Sequence, residues 1–185
     1  EATEALIGFM GGEGNILNVL EMIEDPNTIL RKEGVEAAVA KYPQVRIIQT
    51  IAGMESVETS TVKIQDAFAA KVKEIDGVIC TGYTSTVAAA MILGEWNQTP
   101  GNKRIRFVGI DTDQVVLDAI RSGAVDATMS QNPYGHGYIT CALLSHMLDG
   151  WRSNPEYYFV DSGTILVTKD KVDTFQDDIM AVTQR

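Results

Sequence analysis

Short apolar runs rich in β-branched residues recur along the chain: ALIGFM (5–10), VRIIQTI (45–51), GVICT (77–81), IRFVGI (105–110) and VDATMS (125–130). Runs of this length, bounded by turn residues, predict buried strands. Stretches of helical periodicity lie between most of them. Asp25-Pro26 forms an N-cap and first-turn pair for a helix running to about Tyr42. Within 56–73, Thr61, Ile64, Gln65, Phe68 and Val72 recur at spacings of three and four. Helices are also predicted over 84–96, over 113–122 with a stop at Gly123, and over 133–148.

Alternating strand and helix units with near-continuous apolar strands argue for an α/β fold, a three-layer αβα lobe of Rossmann-like type around a parallel sheet. Right-handed crossovers set all strand carboxyl ends along one rim, where open α/β sheets bind ligands. On this reading the rim comprises Met10-Gly11-Gly12, Thr50-Ile51-Ala52, Thr81-Gly82-Tyr83, Asp111-Thr112-Asp113 and Gln131-Asn132. It is polar and almost without Lys or His, which suits hydrogen bonding to a neutral ligand better than bond breaking. The Gly11-Gly12-Glu13-Gly14 loop is read as opening a helix. It lacks G-x-G-x-x-G order and Glu13 would repel phosphate, so a plain turn is the better account. After Gly150 come a polar loop, two β-like runs (157–160 and 163–168) and a polar tail.

With 45% hydrophobic and 22% charged residues, the 185-residue chain has the make-up of a globular protein with one sizeable core or two small lobes. Its net charge of −10 repels phosphate backbones and argues against a nucleic-acid partner. No apolar run approaches the ~20 residues of a membrane-spanning helix. The chain opens on EATEALIGFM, without a signal peptide or initiator Met, as expected of a processed chain or a piece of a longer one. Cys80 and Cys141 stand apart without C-x-x-C spacing, and each is read as a buried thiol.

The sharpest catalytic candidate is FVGIDTD (107–113), in which Asp111-Thr112-Asp113-Gln114-Val115 fits the D-x-D-x-[TV] motif of haloacid-dehalogenase-type phosphatases. Asp111 would then attack phosphorus, Asp113 would protonate the leaving oxygen, and Mg²⁺ would neutralise the phosphate. That family carries the motif on its first strand, whereas several strand–helix units precede it here. A response-regulator receiver fails because no carboxylate pair follows the first strand. His136 and His146 have neither metal-ligand spacing nor a nucleophile beside them, and read as solvated or core-edge residues.

Over about thirty residues, VGIDTDQVVLDAIRSGAVDATMSQNPYGHGY resembles the C-terminal signature of the periplasmic sugar-binding proteins of ABC importers, the ribose- and galactose-binding-like group. Leu30-Arg31-Lys32-Glu33-Gly34-Val35 resembles that family's Arg-x-x-Gly-Phe helix start, and Asp76-Gly77-Val78-Ile79-Cys80 resembles a strand ending at its cleft. The resemblance implies a type I periplasmic-binding-protein fold, with two Rossmann-like lobes gripping a sugar between them. Residues 1–130 would be the C-terminal sugar-binding lobe, 131–160 a segment re-entering the N-terminal lobe, and 161–185 the crossing back with the C-terminal tail. Most of the N-terminal lobe would be missing.

Ligand-binding roles then fall to Arg31 and Asp111 as partners of sugar oxygens, and to Gln131 on the hinge side. Gly82 stands where relatives often carry Asn or Asp, and Tyr83 beside it offers a stacking face. Asp113 and Asn132 read as helix N-caps. The resemblance implies no catalysis, no metal and no cofactor. Its partners would be a small sugar and a membrane permease, in a periplasmic or extracytoplasmic setting. A related alternative is the effector-binding domain of a lac-repressor-like regulator, which shares the fold. The 133–148 helix would lack the sheet it packs on, so it is expected to lie exposed, to rearrange onto the lobe, or to pair with a second copy.

Overall fold

The computed structural model describes residues 1–154, 156 and 160–183. In chain order the elements are α1 (Ala2–Phe9), β1 (Gly14–Val19), α2 (Pro26–Val39), β2 (Val45–Ile51), α3 (Val57–Lys71), β3 (Gly77–Cys80), α4 (Tyr83–Gln98), β4 (Arg106–Ile110), α5 (Gln114–Ser122), β5 (Ala127–Gln131), α6 (Pro133–Leu148), β6 (Thr164–Thr168) and α7 (Phe175–Thr183). The sheet has the order β2-β1-β3-β4-β5-β6. β1 to β5 run parallel, and β6 pairs antiparallel with β5, with Gln131 opposite Thr164. The antiparallel edge arises because the chain leaves the sheet after Gln131 and re-enters it at the same end, with Thr164 opposite Gln131.

Two apolar layers cover the sheet. Leu6, Ile7, Ile16, Val35, Ile79 and Val108 pack beneath α1 and α2. Leu17, Val19, Ile64, Val87, Leu93, Phe107 and Ile120 pack beneath α3, α4 and α5. α4 lies so close to β4 that a Cβ on Gly109 would sit 2.4 Å from Thr86 Cγ2. Thr86 Oγ1 in turn accepts from the Ile110 N–H at 3.0 Å, tying the strand end to the helix.

The beginning of the chain differs from the sequence reading. ALIGFM lies in α1, and the first strand is GNILNV (14–19). A short apolar run carries no length to separate strand from helix, and ATEALIGF supplies good helix formers with Ala2, Leu6 and Phe9 spaced by four and three. Gly11 and Gly12, at φ 79° and 87°, then turn the chain into β1. The Gly11–Gly14 loop therefore enters a strand and opens no helix. Met10 lies against Gly77, the first residue of β3, so Met10-Gly11-Gly12 sits at the amino edge of the sheet. The carboxyl end of β1 is Leu20-Glu21-Met22 instead.

The C-terminal segment also departs from expectation. What reads as a polar tail contains α7, because Phe175 and Ile179, one helical turn apart, are both buried. The 163–168 run is β6, while 157–159 of the other expected run fall outside the described residues. α6 lies exposed: Gly135 is its one buried residue, and Leu148 is 89% accessible. Among the described residues no helix is long and apolar enough to cross a membrane.

Exposure of α6 corrects the reading of Cys141, which is exposed; Cys80 is buried at the end of β3. Burial, with the nearby Glu21 carboxylate, pushes the Cys80 thiol pKa far up and leaves almost no thiolate. A thiol-specific chromogenic reagent at pH 8 is expected to label Cys141 alone in the native chain, and Cys80 only after unfolding. Counting labelled sites by mass checks this.

Candidate functional site

Polar residues gather at the strand carboxyl ends. Asp25 caps α2 by accepting from the Asn27 N–H at 2.9 Å. The helix carries Arg31 across to β3, where its Nη1 donates to the Thr81 carbonyl at 2.7 Å. A guanidinium has five N–H donors, and this bond uses one of them. Gly82 and Tyr83 follow directly, as N-cap and first residue of α4. Tyr83 is 46% exposed and its hydroxyl donates to Asp113 Oδ2 at 2.8 Å. That bond raises the phenol pKa, so Tyr83 stays protonated at neutral pH.

Asp113 accepts from the Val115 N–H at 2.9 Å through its other oxygen, so it caps α5 as its spacing predicts. Asp111, two residues earlier, is the chain's one described non-glycine residue at positive φ, 73°. The bend is held from both sides. Its N–H donates to the Met129 carbonyl at 2.8 Å, and Thr128 Oγ1 donates to its own carbonyl at 2.6 Å. Gln131 Nε2 donates to Asp111 Oδ1. A side chain kept in a sparsely populated backbone region by its surroundings is a recurrent feature of ligand-binding positions.

All five residues singled out in the sequence therefore reach one edge. Asp111 and Gln131 border a cleft of about 440 Å³, walled further by Tyr134, His136, Phe175 and Met180. Arg31, Gly82 and Tyr83 lie outside that cleft, further along the rim. Asn132, fully buried, caps α6 by accepting from the Gly135 N–H at 2.8 Å. Trp96 stacks edge-on against Phe68 at 6.3 Å and donates to the Lys103 carbonyl, so it packs away from this edge. Among the described residues no three His, Cys, Asp or Glu side chains come together as a metal site.

The sequence reading missed Glu21, since it placed the end of β1 elsewhere. The Glu21 carboxylate lies across the start of α4. Oε1 accepts from the Ser85 N–H at 3.1 Å and lies 2.8 Å from Ser85 Oγ, while Oε2 is 2.7 Å from Thr84 Oγ1. A Cβ on Gly82 would meet Glu21 Cγ at 2.0 Å, so position 82 is glycine because Glu21 fills its side-chain space. The one signal for it is weak: ILNVLE (16–21), an apolar run broken by Asn18, ends in a carboxylate just before the Asp25-Pro26 helix start.

Comparison with known proteins agrees with this architecture. The chain is 24% identical over 178 residues to a xylitol-binding protein of Mycolicibacterium smegmatis, a match covering 95% of this chain and 48% of that protein. It thus spans about half the length of this curated relative. A sugar-binding protein of a sugar ABC transporter from Bacillus halodurans superposes with TM-score 0.81 at 21% identity, over 93% of this chain and 60% of that one. An arabinose-binding protein from Geobacillus stearothermophilus gives TM-score 0.80 at 23% identity, over 94% and 60%. These likenesses establish the fold of the lobe. The family described as periplasmic binding protein domain matches residues 1–151, and the chain belongs to that family.

Proposed function

We propose that the chain forms one wall of a ligand cleft in a solute-binding protein of an ABC importer, taking a monosaccharide or similar polyol without chemical turnover. The observation that carries this reading is the set of donors and acceptors gathered along one edge, with Arg31 on the Thr81 carbonyl, Tyr83 on Asp113 and Gln131 on Asp111. Planar groups with both donor and acceptor atoms match vicinal hydroxyls, each of which donates one hydrogen bond and accepts others. Asp111 accepts from hydroxyls, Arg31 and Gln131 donate to ring or hydroxyl oxygens, and Tyr83 covers an apolar face of the ligand beside Gly82.

Residues 1–130 are the ligand-bearing lobe on this reading. Segment 131–160 belongs with a second lobe, and 161–185 crosses back. The exposed α6 supports that division, since its apolar residues have no sheet beneath them. Closure of the second lobe would trap the sugar and present the closed form to a membrane permease, on the extracytoplasmic side.

Thermal denaturation of the chain against a panel of pentoses, hexoses and pentitols tests the reading. At a hundred times its Kd, a ligand adds about 2.7 kcal/mol. For a chain of this size that raises Tm by about 5–10 °C. A panel in which no sugar or polyol moves Tm at saturating concentration contradicts the proposal.

A further inference from the structure

α4 is a 16-residue helix whose N-cap, Gly82, offers no side chain to its first N–H groups. Those groups and the aligned helix dipole would attract an anion at the rim. The place is already taken. Glu21, from the end of β1, accepts from the Ser85 N–H and is flanked by the Ser85 and Thr84 hydroxyls. Ser85 is itself fully buried, so its amide is a built, desolvated donor. A Cβ on Gly82 would lie 2.5 Å from Glu21 Oε1, so the carboxylate is packed directly against the helix start.

The edge carries carboxylates beyond that one. Glu21, Asp111 and Asp113 stand along it. Of the nearby cations, Arg31 donates to the Thr81 carbonyl and Lys63 to the carbonyls of Ala52 and Gly53 at 2.9 and 2.8 Å, and neither pairs with Glu21. A phosphate or carboxylate on the ligand would meet a carboxylate where the helix would otherwise have received it.

We propose that Glu21 is a specificity-determining residue: it plugs the anion-receptive start of α4 from a neighbouring strand and restricts the rim to uncharged polyhydroxylated ligands, excluding their phosphorylated or carboxylated counterparts. The inference rests on the reading of the rim as a sugar site.

The test is a backbone-amide NMR titration of the whole chain and of Glu21→Ala, with inorganic phosphate in one arm and D-arabinose and D-arabinose 5-phosphate in the other. In the unsubstituted chain, phosphate is expected to leave the Thr84 and Ser85 amides unmoved. In Glu21→Ala it should shift both saturably, with affinity at least about tenfold higher. Discrimination between arabinose and its phosphate should fall by a similar factor.

Glu21→Gln keeps the size and the acceptor for Ser85 but removes the charge. It carries the test should the alanine variant fold poorly, and it is expected to lose about half of the discrimination on a logarithmic scale. Equal phosphate binding in all folded forms overturns the proposal. The arabinose arm reports separately on the sugar site. A phosphate response that depends on Glu21, with no folded form binding arabinose, would overturn the specificity role and leave Glu21 as a helix cap only.

Discussion

Asp111→Ala is expected to weaken sugar binding by about 2–3 kcal/mol, roughly 30- to 150-fold in Kd. The loss has two sources: an ionised acceptor for ligand hydroxyls disappears, and Gln131 Nε2 loses the partner that orients it. A second substitution at the same position separates function from folding. Asp111 holds φ at 73°, a region in which a residue bearing a Cβ is strained by about 1–2 kcal/mol and glycine is not. Asp111→Gly should therefore lose binding as fully as Asp111→Ala while raising stability by about 1 kcal/mol. Calorimetric titration and chemical denaturation on both variants measure the pair. Binding and stability moving in opposite directions in Asp111→Gly would identify a position retained for its ligand.

Asn132→Ala should produce the largest stability loss, about 2–4 kcal/mol. The side chain is fully buried and joins three parts of the chain. Oδ1 accepts from the Gly135 N–H at 2.8 Å, capping α6, while Nδ2 donates to the Ser162 carbonyl at 2.6 Å and to Thr183 Oγ1 at 2.7 Å. Residue 132 is where the chain leaves the sheet, Ser162 is where it returns, and Thr183 ends α7. Gly135 is constrained by the same knot, since a Cβ there would lie 2.4 Å from Asn132 Nδ2.

Alanine would leave the buried Gly135 N–H and the half-buried Ser162 carbonyl without their Asn132 partner. Loss of the tie should also show in hydrogen exchange, with protection falling at Gly135 and through α7 while the β1–β3 amides keep theirs. Asn132→Asp preserves the cap but replaces both donations with a charge facing the Ser162 carbonyl. It is expected to be at least as damaging.

How far the chain can be read without coordinates depends on where its signals are redundant. From Asp25 to Asn132, caps and periodicity agree. Asp25, Asp113 and Asn132 all cap the helices they precede, and Gly123 closes α5 in the left-handed region at φ 78°. Asp111 and Gln131 were legible as an edge pair because two flanking parallel strands end on them. The N-terminal strand was not legible. Asn15 and Asn18 interrupt GNILNV, whereas ALIGFM is continuously apolar, so local hydrophobicity favoured the wrong segment.

That one exchange moved the rim's first member from Glu21 to Met10 and concealed the plug on α4. Asn18 is also unusual in the structure, fully buried with neither amide atom hydrogen-bonded to protein. Its polarity at a buried strand position gave no local hint of burial. α7 escaped notice because its two buried residues, Phe175 and Ile179, are diluted by acidic neighbours.

On the proposed function, the carboxyl edge of the sheet, from Arg31 to Gln131, grips a polyhydroxylated ligand. An amide and side-chain chemical-shift map of the chain titrated with the best ligand of the sugar panel tests it most directly. Saturable shifts are expected at Arg31, Gly82, Tyr83, Asp111 and Gln131, with the opposite edge at Gly11–Gly14 and Lys103–Arg106 unmoved. Shifts gathered at that opposite edge, or spread without saturation, would contradict it.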